Sequence, residues 1–460
     1  MPGTPPLTSE SSPVDRPPGP RGSLGPTLRF QYTPLRFLAG MLDEYGDIFS
    51  VELLGMPIIV LNHPIFVDHV LKRQHYNYER SGPAVEMARE MFGRGVGTAA
   101  RPEWLWQRRL LQPIFHRQRI AEFTEIMSSA IQTTLHRWDR TASSGATIDV
   151  GAEMTDLSLR IVLRTLFDLH PADAKLRALT DAFTVATKEL ASFMRFPVLP
   201  LSAPTPGHRR FRRALDALDS ITHEMIRQQE TARGSHRSLL SRLMDARDSE
   251  TGDRMSVHQL RDEILTMLFA GHETSANTLT WVWYLLGCYP EVEERLRAEI
   301  DAVVGERQPL IADLPRLVYT RQVIQETLRL YSPAWQNYRQ ALQDDVIGGY
   351  RIPAGTTVFW SYYFIHRHES YWPDPELFDP GRFSAAHGAR VDPPGYYPFG
   401  AGPRLCMGNT FAMAEMQLTI AMILQRYRLI ATSSRHIAPV ALITLHPHRP
   451  ITVHLERCRS

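Results

Sequence analysis

The chain has 460 residues, 43% of them hydrophobic, enough to bury a large core and to exclude disorder throughout. Its 51 Lys and Arg against 49 Asp and Glu leave a formal charge of +2, too even a balance to argue for nucleic acid or an anionic membrane surface as partner. Three cysteines, Cys288, Cys406 and Cys458, are too few and too widely spaced for a disulfide framework, which fits a reducing cytoplasm.

In chain order, Met1 to Pro26 is rich in Pro, Ser and Gly and lacks both a basic n-region and an apolar h-region. It reads as a flexible tail and neither a signal peptide nor a membrane anchor. No apolar run approaches the roughly 20 residues of a membrane span. Thr33 to Tyr45 has helical spacing, and Ile48 to Leu53 and Pro57 to Leu61, parted by Gly55, form a hairpin. From Arg101 to near Ala246 the patterns are helical, with a Pro/Gly-rich loop at Phe196 to Gly207. Ser256 to Tyr289 is the longest helical pattern, opened by a capping box of Ser256 with Gln259 and closed by Pro290; it predicts a helix of roughly 50 Å. A further helix covers Leu317 to Tyr331. Strands follow at Ile347 to Ile352 and Thr356 to Tyr362, then a long ordered loop from His366 to Pro403 and a last helix at Asn409 to Tyr427. With no internal repeat or interior linker, residues 27–460 are expected to form one mainly α domain with a small β region.

The chemistry concentrates before that last helix, in Phe399-Gly400-Ala401-Gly402-Pro403-Arg404-Leu405-Cys406-Met407-Gly408. A cysteine here has free backbone N–H groups and the positive helix end beside it, which favours the thiolate that iron needs. The glycines allow backbone to approach a flat macrocycle, and Arg404 is suited to pair with a propionate. Taken alone, a single cysteine in an α-rich protein is more often a buried inert thiol.

The spacing of Phe399, Gly402, Arg404, Cys406 and Gly408 matches F-x-x-G-x-R-x-C-x-G at every fixed position, and the chain thereby resembles the cytochrome P450 family, soluble bacterial type. Three further segments resemble it in the right order. Glu326-Thr327-Leu328-Arg329 is one, and the family places its Glu and Arg in a buried triad with the arginine of the downstream loop, here Arg382; these three are assigned a structural role. Ala270-Gly271-His272-Glu273-Thr274, within the long helix, looks like the oxygen-activation segment. Its Gly271 and Thr274 are expected to loosen the helix and make room beside the iron, with Thr274 and Glu273 forming a hydroxyl relay for protons. Trp104-x-x-x-Arg108 resembles the helix at the haem edge, and Arg339 the second propionate arginine.

Read without the family, Glu326–Arg329 is also a surface pair and Thr274 a capping residue. His272-Glu273 is no zinc motif, because Ala276 stands where a second His would be needed. Gly95 to Ala100 imitates a dinucleotide turn, but no acid follows about twenty residues on, so it reads as a loop over the haem. His366-Arg367-His368 and His446-Pro447-His448 read as surface histidines.

The resemblance implies a P450 fold with a long central helix over a Cys-ligated haem b (iron protoporphyrin IX), whose thiolate favours O–O cleavage. It implies insertion of one oxygen atom from O2 into a C–H or C=C bond of a lipophilic small molecule. The cavity is expected between a loop at Ser81 to Gly97, Phe269 and Ala270, Pro333 to Asn337, and a turn at Leu442 to Thr444. Terpenoid, steroid, fatty-acid and macrolide substrates remain open, with a secondary-metabolism role suggested. Because the chain ends soon after its last helix, electrons are expected from a separate ferredoxin and its NAD(P)H-dependent reductase, docking near Arg109 and Arg117. A cytoplasmic monomer is expected. A peroxygenase or isomerase/dehydratase on the same fold, and a non-catalytic haem sensor or electron carrier, are the alternatives; neither needs the relay of Glu273 and Thr274.

Overall fold

Residues 14–115, 117–169, 173–195, 203–231, 238–248, 250–384, 393–432 and 436–458 are described in a computed structural model. Helices α1 (Leu24–Tyr32) and α2 (Pro34–Tyr45) lead into β1 (Ile48–Leu53) and β2 (Met56–Leu61). The turn residues Leu54 and Gly55 both carry positive φ, 54° and 78°, the type I′ geometry that a two-residue hairpin favours. There follow α3 (Pro64–Asp68), β3 (Tyr78–Glu79), α4 (Pro83–Phe92), α5 (Glu103–Leu111), α6 (Arg117–Ser144), β4 (Thr147–Asp149) and α7 (Val150–Phe167). The middle of the chain is helical: α8 (Asp173–Arg195), α9 (Pro206–Thr231), α10 (Leu239–Asp245), α11 (Val257–Cys288), α12 (Pro290–Val303) and α13 (Val318–Leu330). Then come β5 (Gln336–Ala341), β6 (Asp345–Ile347), β7 (Tyr350–Ile352), β8 (Thr357–Ser361), α14 (Tyr362–Ile365), α15 (Asn409–Arg426), β9 (Tyr427–Ala431), β10 (Pro439–Ala441), β11 (Leu445–Pro447) and β12 (Thr452–Arg457).

The fold is mainly α with small sheets, as the sequence predicts. One sheet has the order β1-β2-β8-β5-β3, a second β4-β12-β9, and β10-β11 and β6-β7 are hairpins. The long helix α11 begins with the expected capping box: the Ser256 hydroxyl accepts from the Gln259 N–H at 3.2 Å, and the Gln259 side chain accepts from the Ser256 N–H at 2.9 Å. It packs along α7 through the core, and its buried Trp281 stacks on Tyr331 with centroids 3.9 Å apart.

Three sequence expectations change. The described part of the Pro-rich N-terminal segment is docked and not free. Val14 bridges to Tyr350, the Pro18 carbonyl accepts from the Ser50 N–H at 2.7 Å, and α1 starts before the expected boundary at residue 27; residues 1–13 lie outside the described residues. Ile347 to Ile352 is not one strand but the end of β6, a two-residue turn and β7, because Gly348 and Gly349 take positive φ and reverse the chain. Ser81 to Gly97 holds helix α4 before its loop begins. Most of the expected loop at Phe196 to Gly207 lies outside the described residues.

Candidate active site

A cavity of about 530 Å³ lies between α11, the loop before α15, β5 and the tip joining β10 to β11. The chain around Cys406 is folded back on itself: the Cys406 N–H donates to the Phe399 carbonyl at 3.0 Å, and Gly400 and Gly402 take φ of 73° and 68°. A Cβ on Gly402 would stand 1.9 Å from the Leu71 carbonyl oxygen, so only glycine lets this loop seat against the neighbouring turn. Gly408 caps α15, and its N–H faces the Cys406 sulfur. The Cys406 side chain is open to the cavity yet deep within the protein. Burial pushes its thiol up, against the pull of the Gly408 N–H and Arg108. Burial thus opposes the favourable N–H and helix-end contribution expected from the sequence, and a bound metal cation is what would deprotonate the thiol.

The walls carry a distinctive charge pattern. Arg80, Arg108, Arg339 and Arg404 line the cavity, and among the described residues no Asp or Glu lines it. Arg339 is buried and, among the described residues, hydrogen-bonds to neutral oxygens of Asn337 and Tyr338, each at 2.7 Å. Burial, with Arg80 adding like-charge repulsion, pulls its guanidinium down to about 9. Such a group fits an anionic ligand that would return its lost stabilisation. Arg108 donates to the Leu405 carbonyl at 2.7 Å, next to the cysteine. Arg404 instead has a protein partner: Glu79 at 2.5 Å, while its guanidinium lies 4.3 Å from the Trp104 ring centroid. Glu79, which also pairs with Arg101 at 3.0 Å, escaped the sequence reading. Against the upward push of burial, Arg404 and Arg101 hold its carboxyl below the usual range. A flat, mostly apolar group bearing carboxylates and a metal fits this set: sulfur on one wall, arginines at the edge, and Trp104 and Phe399 flanking.

On the opposite wall, Ala270, Gly271 and Thr274 of α11 face the cavity. Helix α11 runs unbroken through this segment, with the Thr274 hydroxyl donating to the Ala270 carbonyl at 2.8 Å. The hydroxyl thus bonds back to the preceding turn as expected, and Gly271 has a further reason to be glycine. Its Cβ would come within 2.9 Å of Val162 Cγ2 on α7. Glu273 does not line the cavity. Its Oε1 accepts from the Thr444 hydroxyl at 3.0 Å and lies 3.0 Å from His446 Nε2. Against burial, His446 above all and His272 hold its carboxyl down at about 2. Thr444 lines the cavity. His446 is therefore no stray surface histidine.

The loop after α4 is clamped to α11: the Arg94 and Val96 N–H groups donate to Asp262 and Glu263 at 2.8 and 3.0 Å. A Cβ on Gly95 would lie 2.2 Å from Thr266 Oγ1, so this segment roofs the cavity.

Away from the cavity, Glu326 and Arg329 are fully buried and joined at 2.7 and 2.8 Å, with Arg382 Nε 3.3 Å from the same carboxylate. His366 is also buried, and burial lowers it to about 3. Asp47, His63 and His368 bring ligand-type atoms within 4.8 Å of one another. Both imidazoles, however, use Nδ1 to accept backbone N–H groups, from Ile65 and Ser370. A metal-bound histidine normally donates through its other nitrogen, so this trio reads as a hydrogen-bonded cluster. Arg109, expected to contribute to partner docking, pairs with Asp248 at 2.9 Å and Glu250 at 3.2 Å; the side chain of Arg117 lies outside the described residues.

The family model for cytochrome P450 matches residues 17–451. The chain is 35% identical to cyclooctat-9-en-7-ol 5-monooxygenase of Streptomyces melanosporofaciens over 91% of each chain. It is 32% identical to pentalenene oxygenase of Streptomyces avermitilis, covering 94% of this chain and 95% of that one. The fold superposes on the crystal structure of the cytochrome P450DA heme domain with a TM-score of 0.87 and 25% identity, covering 98% and 99% of the two chains.

Proposed function

Because the chain belongs to the cytochrome P450 family, and with it to the monooxygenases, we propose that it hydroxylates or epoxidises a polycyclic terpenoid at a haem b held by Cys406. The observation that carries the proposal is the pairing of the Cys406 thiol with four arginines around a cavity that, among the described residues, no carboxylate lines. Cys406 would bind the iron, Arg339 and Arg108 would meet propionates, and Trp104 and Phe399 would flank the ring. When bound, the haem supplies oxygen activation, and thiolate donation favours O–O cleavage.

The protein's own part is to shape the substrate chamber and bring protons. Phe92, Val96, Phe269, Ala334 and Ile443 give that chamber apolar walls, which suits a lipophilic substrate with few polar groups. The relatives named for cyclooctat-9-en-7-ol and pentalenene support a terpenoid over a fatty acid or macrolide. Electrons would come from a ferredoxin and its NAD(P)H-dependent reductase. No helix among the described residues is long and apolar enough to cross a membrane.

The test joins spectroscopy and turnover. Reduced protein treated with carbon monoxide is expected to show the red-shifted Soret band of a thiolate ligand, and Cys406→Ser to lose it. Titration with cyclic terpene hydrocarbons and alcohols is expected to displace the iron's water and shift the spectrum at lower concentration than steroids or fatty acids do. A band unchanged by Cys406→Ser would remove the ligand assignment. Tighter response to fatty acids, or substrate loss independent of dioxygen and reductant, would remove the substrate class or the reaction.

A further inference from the structure

Insertion of one oxygen atom with reduction of the other to water consumes two protons and two electrons per turnover, so a cavity whose lining offers no carboxyl or imidazole among the described residues needs a proton entry. The structure offers one that the sequence pattern does not contain. His446 sits on β11, and its Nε2 lies 3.0 Å from Glu273 Oε1 and 2.7 Å from the Thr444 hydroxyl. Thr444 is the member of this group that lines the cavity, and the Asn277 amide donates to its hydroxyl at 3.1 Å. We propose that His446 is the outer station of the proton supply to this cavity, passing protons through Glu273 and Thr444 from the far side of α11.

Two imidazoles flank Glu273, and burial separates their roles. His272 has a side chain 2% exposed, its Nδ1 against the Leu268 carbonyl at 2.5 Å and its ring against Phe183 of α8. Burial lowers its pKa, so it stays neutral and has no route to water. The His446 side chain is 31% exposed, and its Nδ1 has no protein partner among the described residues. One ring nitrogen can thus face water while the other faces the buried carboxylate, the arrangement a histidine shuttle requires. These two histidines are the ionisable groups that face Glu273; the neighbours from β10–β11 and the rest of α11 are the neutral Thr444 and Asn277.

The step balances without any redox change. Nδ1 takes a proton from solvent hydronium, the resulting imidazolium gives its Nε2–H proton to the Glu273 carboxylate, and exchange of the ring protons with solvent restores the Nε2–H tautomer. Glu273 then gives its proton to the Thr444 hydroxyl once that hydroxyl has turned its own hydrogen from Glu273 towards the cavity and releases it there. The inference rests on the monooxygenase reading, since only a reaction that consumes protons in the cavity needs the path.

The test uses the haem-loaded protein with its electron donor. His446→Gln can keep a hydrogen bond to Glu273 and Thr444 but cannot titrate, whereas His446→Phe removes both functions. Both are expected to lower product formed per reductant consumed by on the order of tenfold or more. Hydrogen peroxide takes up the difference, and the pH-dependent limb of the wild-type profile flattens. Substrate affinity by spectral titration is expected to stay within about twofold for His446→Gln. In parallel, the Glu273 carboxyl is followed by carbon-13 NMR through a pH titration, where His446→Phe is expected to raise its pKa. Wild-type coupling and pH profile in His446→Gln would reduce His446 to a brace for the hairpin and overturn the proposal. An unmoved Glu273 titration would overturn it independently of turnover. Absence of dioxygen-dependent turnover in the wild type would strike the monooxygenase reading instead, leaving the NMR measurement to decide the contact between His446 and Glu273.

Discussion

Glu326 and Glu273 are both carboxylates drawn out of bulk water, and different chemistry holds them. Glu326 is clamped by Arg329 and Arg382 and accepts the Asp379 N–H at 3.0 Å, while Arg329 uses its remaining donors on the carbonyls of His366, Pro375 and Leu377. Glu273 is held by a histidine and a threonine hydroxyl, beside a cavity. Arginine stays protonated at any ordinary pH, so the first arrangement is a fixed charge lattice. Imidazole and hydroxyl groups can surrender and recover a proton, so the second can conduct one. The partner, more than the depth of burial, decides whether a buried acid acts as a rivet or a relay.

The largest expected effect breaks the rivet. Glu326→Ala leaves the Arg329 guanidinium uncompensated at zero exposure and is expected to cost about 3–5 kcal/mol of folding stability. Urea unfolding of the haem-loaded protein measures it. A loss below about 1 kcal/mol would mean that the pair behaves as a solvated surface bridge, and the contrast would fail.

A third buried carboxyl sharpens the comparison. Glu415 on α15 is fully buried with no cation beside it, facing only the Ser158 and Ser275 hydroxyls, and burial pushes it up to about 8. Its folded-state pKa lies above that of the unfolded chain, so its contribution to stability is complete below about pH 4 and is lost as pH rises through about 8. Glu273 has the opposite sign: held at about 2, it contributes above about pH 4, and the contribution disappears as pH falls towards 2. Glu415→Gln is therefore expected to gain about 2–4 kcal/mol on the wild type between pH 5 and 9. Glu273→Gln is expected to trail the wild type by about 1–3 kcal/mol at pH 7, with the gap closing in acid. Unfolding free energies of the three proteins across pH would show the two slopes. Parallel slopes would mean that their surroundings do not distinguish these acids.

The residues legible in the sequence are those whose chemistry is fixed by local spacing. Phe399 to Gly408 lie in one loop, Glu326 and Arg329 on one helical turn, and Ser256 and Gln259 in one cap; spacing alone puts each set within reach. Glu79 meets Arg404 across 325 residues and His446 meets Glu273 across 173, as single side chains in unpatterned segments. Nothing periodic marks either contact, so His446 reads as solvent-facing and Glu79 passes unnoticed. Arg109 shows the converse: a basic residue near the cysteine reads as a free charge in sequence, yet Asp248, brought from the chain preceding α11, pairs with it. Gly271 carries a second constraint that the sequence does not show, because it lines the cavity and also marks a close approach by another helix.

That approach gives the smallest effect and separates the two regions most finely. In a helix interior, Gly→Ala is worth about 1 kcal/mol of stabilisation. Yet the added methyl would stand 2.9 Å from Val162 Cγ2, and overpacking of this kind costs about 1–3 kcal/mol. Gly271→Ala alone is thus expected to be neutral to mildly destabilising, by about 0–2 kcal/mol. In a Val162→Ala background the clash is gone, and the same substitution should stabilise by about 1 kcal/mol. A double-mutant cycle isolates that coupling. Because Gly271 is two residues from Glu273 while the Glu326 clamp sits on α13, any shift of α11 away from α7 should disturb the Glu273 carbon-13 titration and leave the urea response to Glu326→Ala unchanged. Equal disturbance of both would mean that α11 and α13 move as one body, and that the relay has no mechanical independence from the clamp.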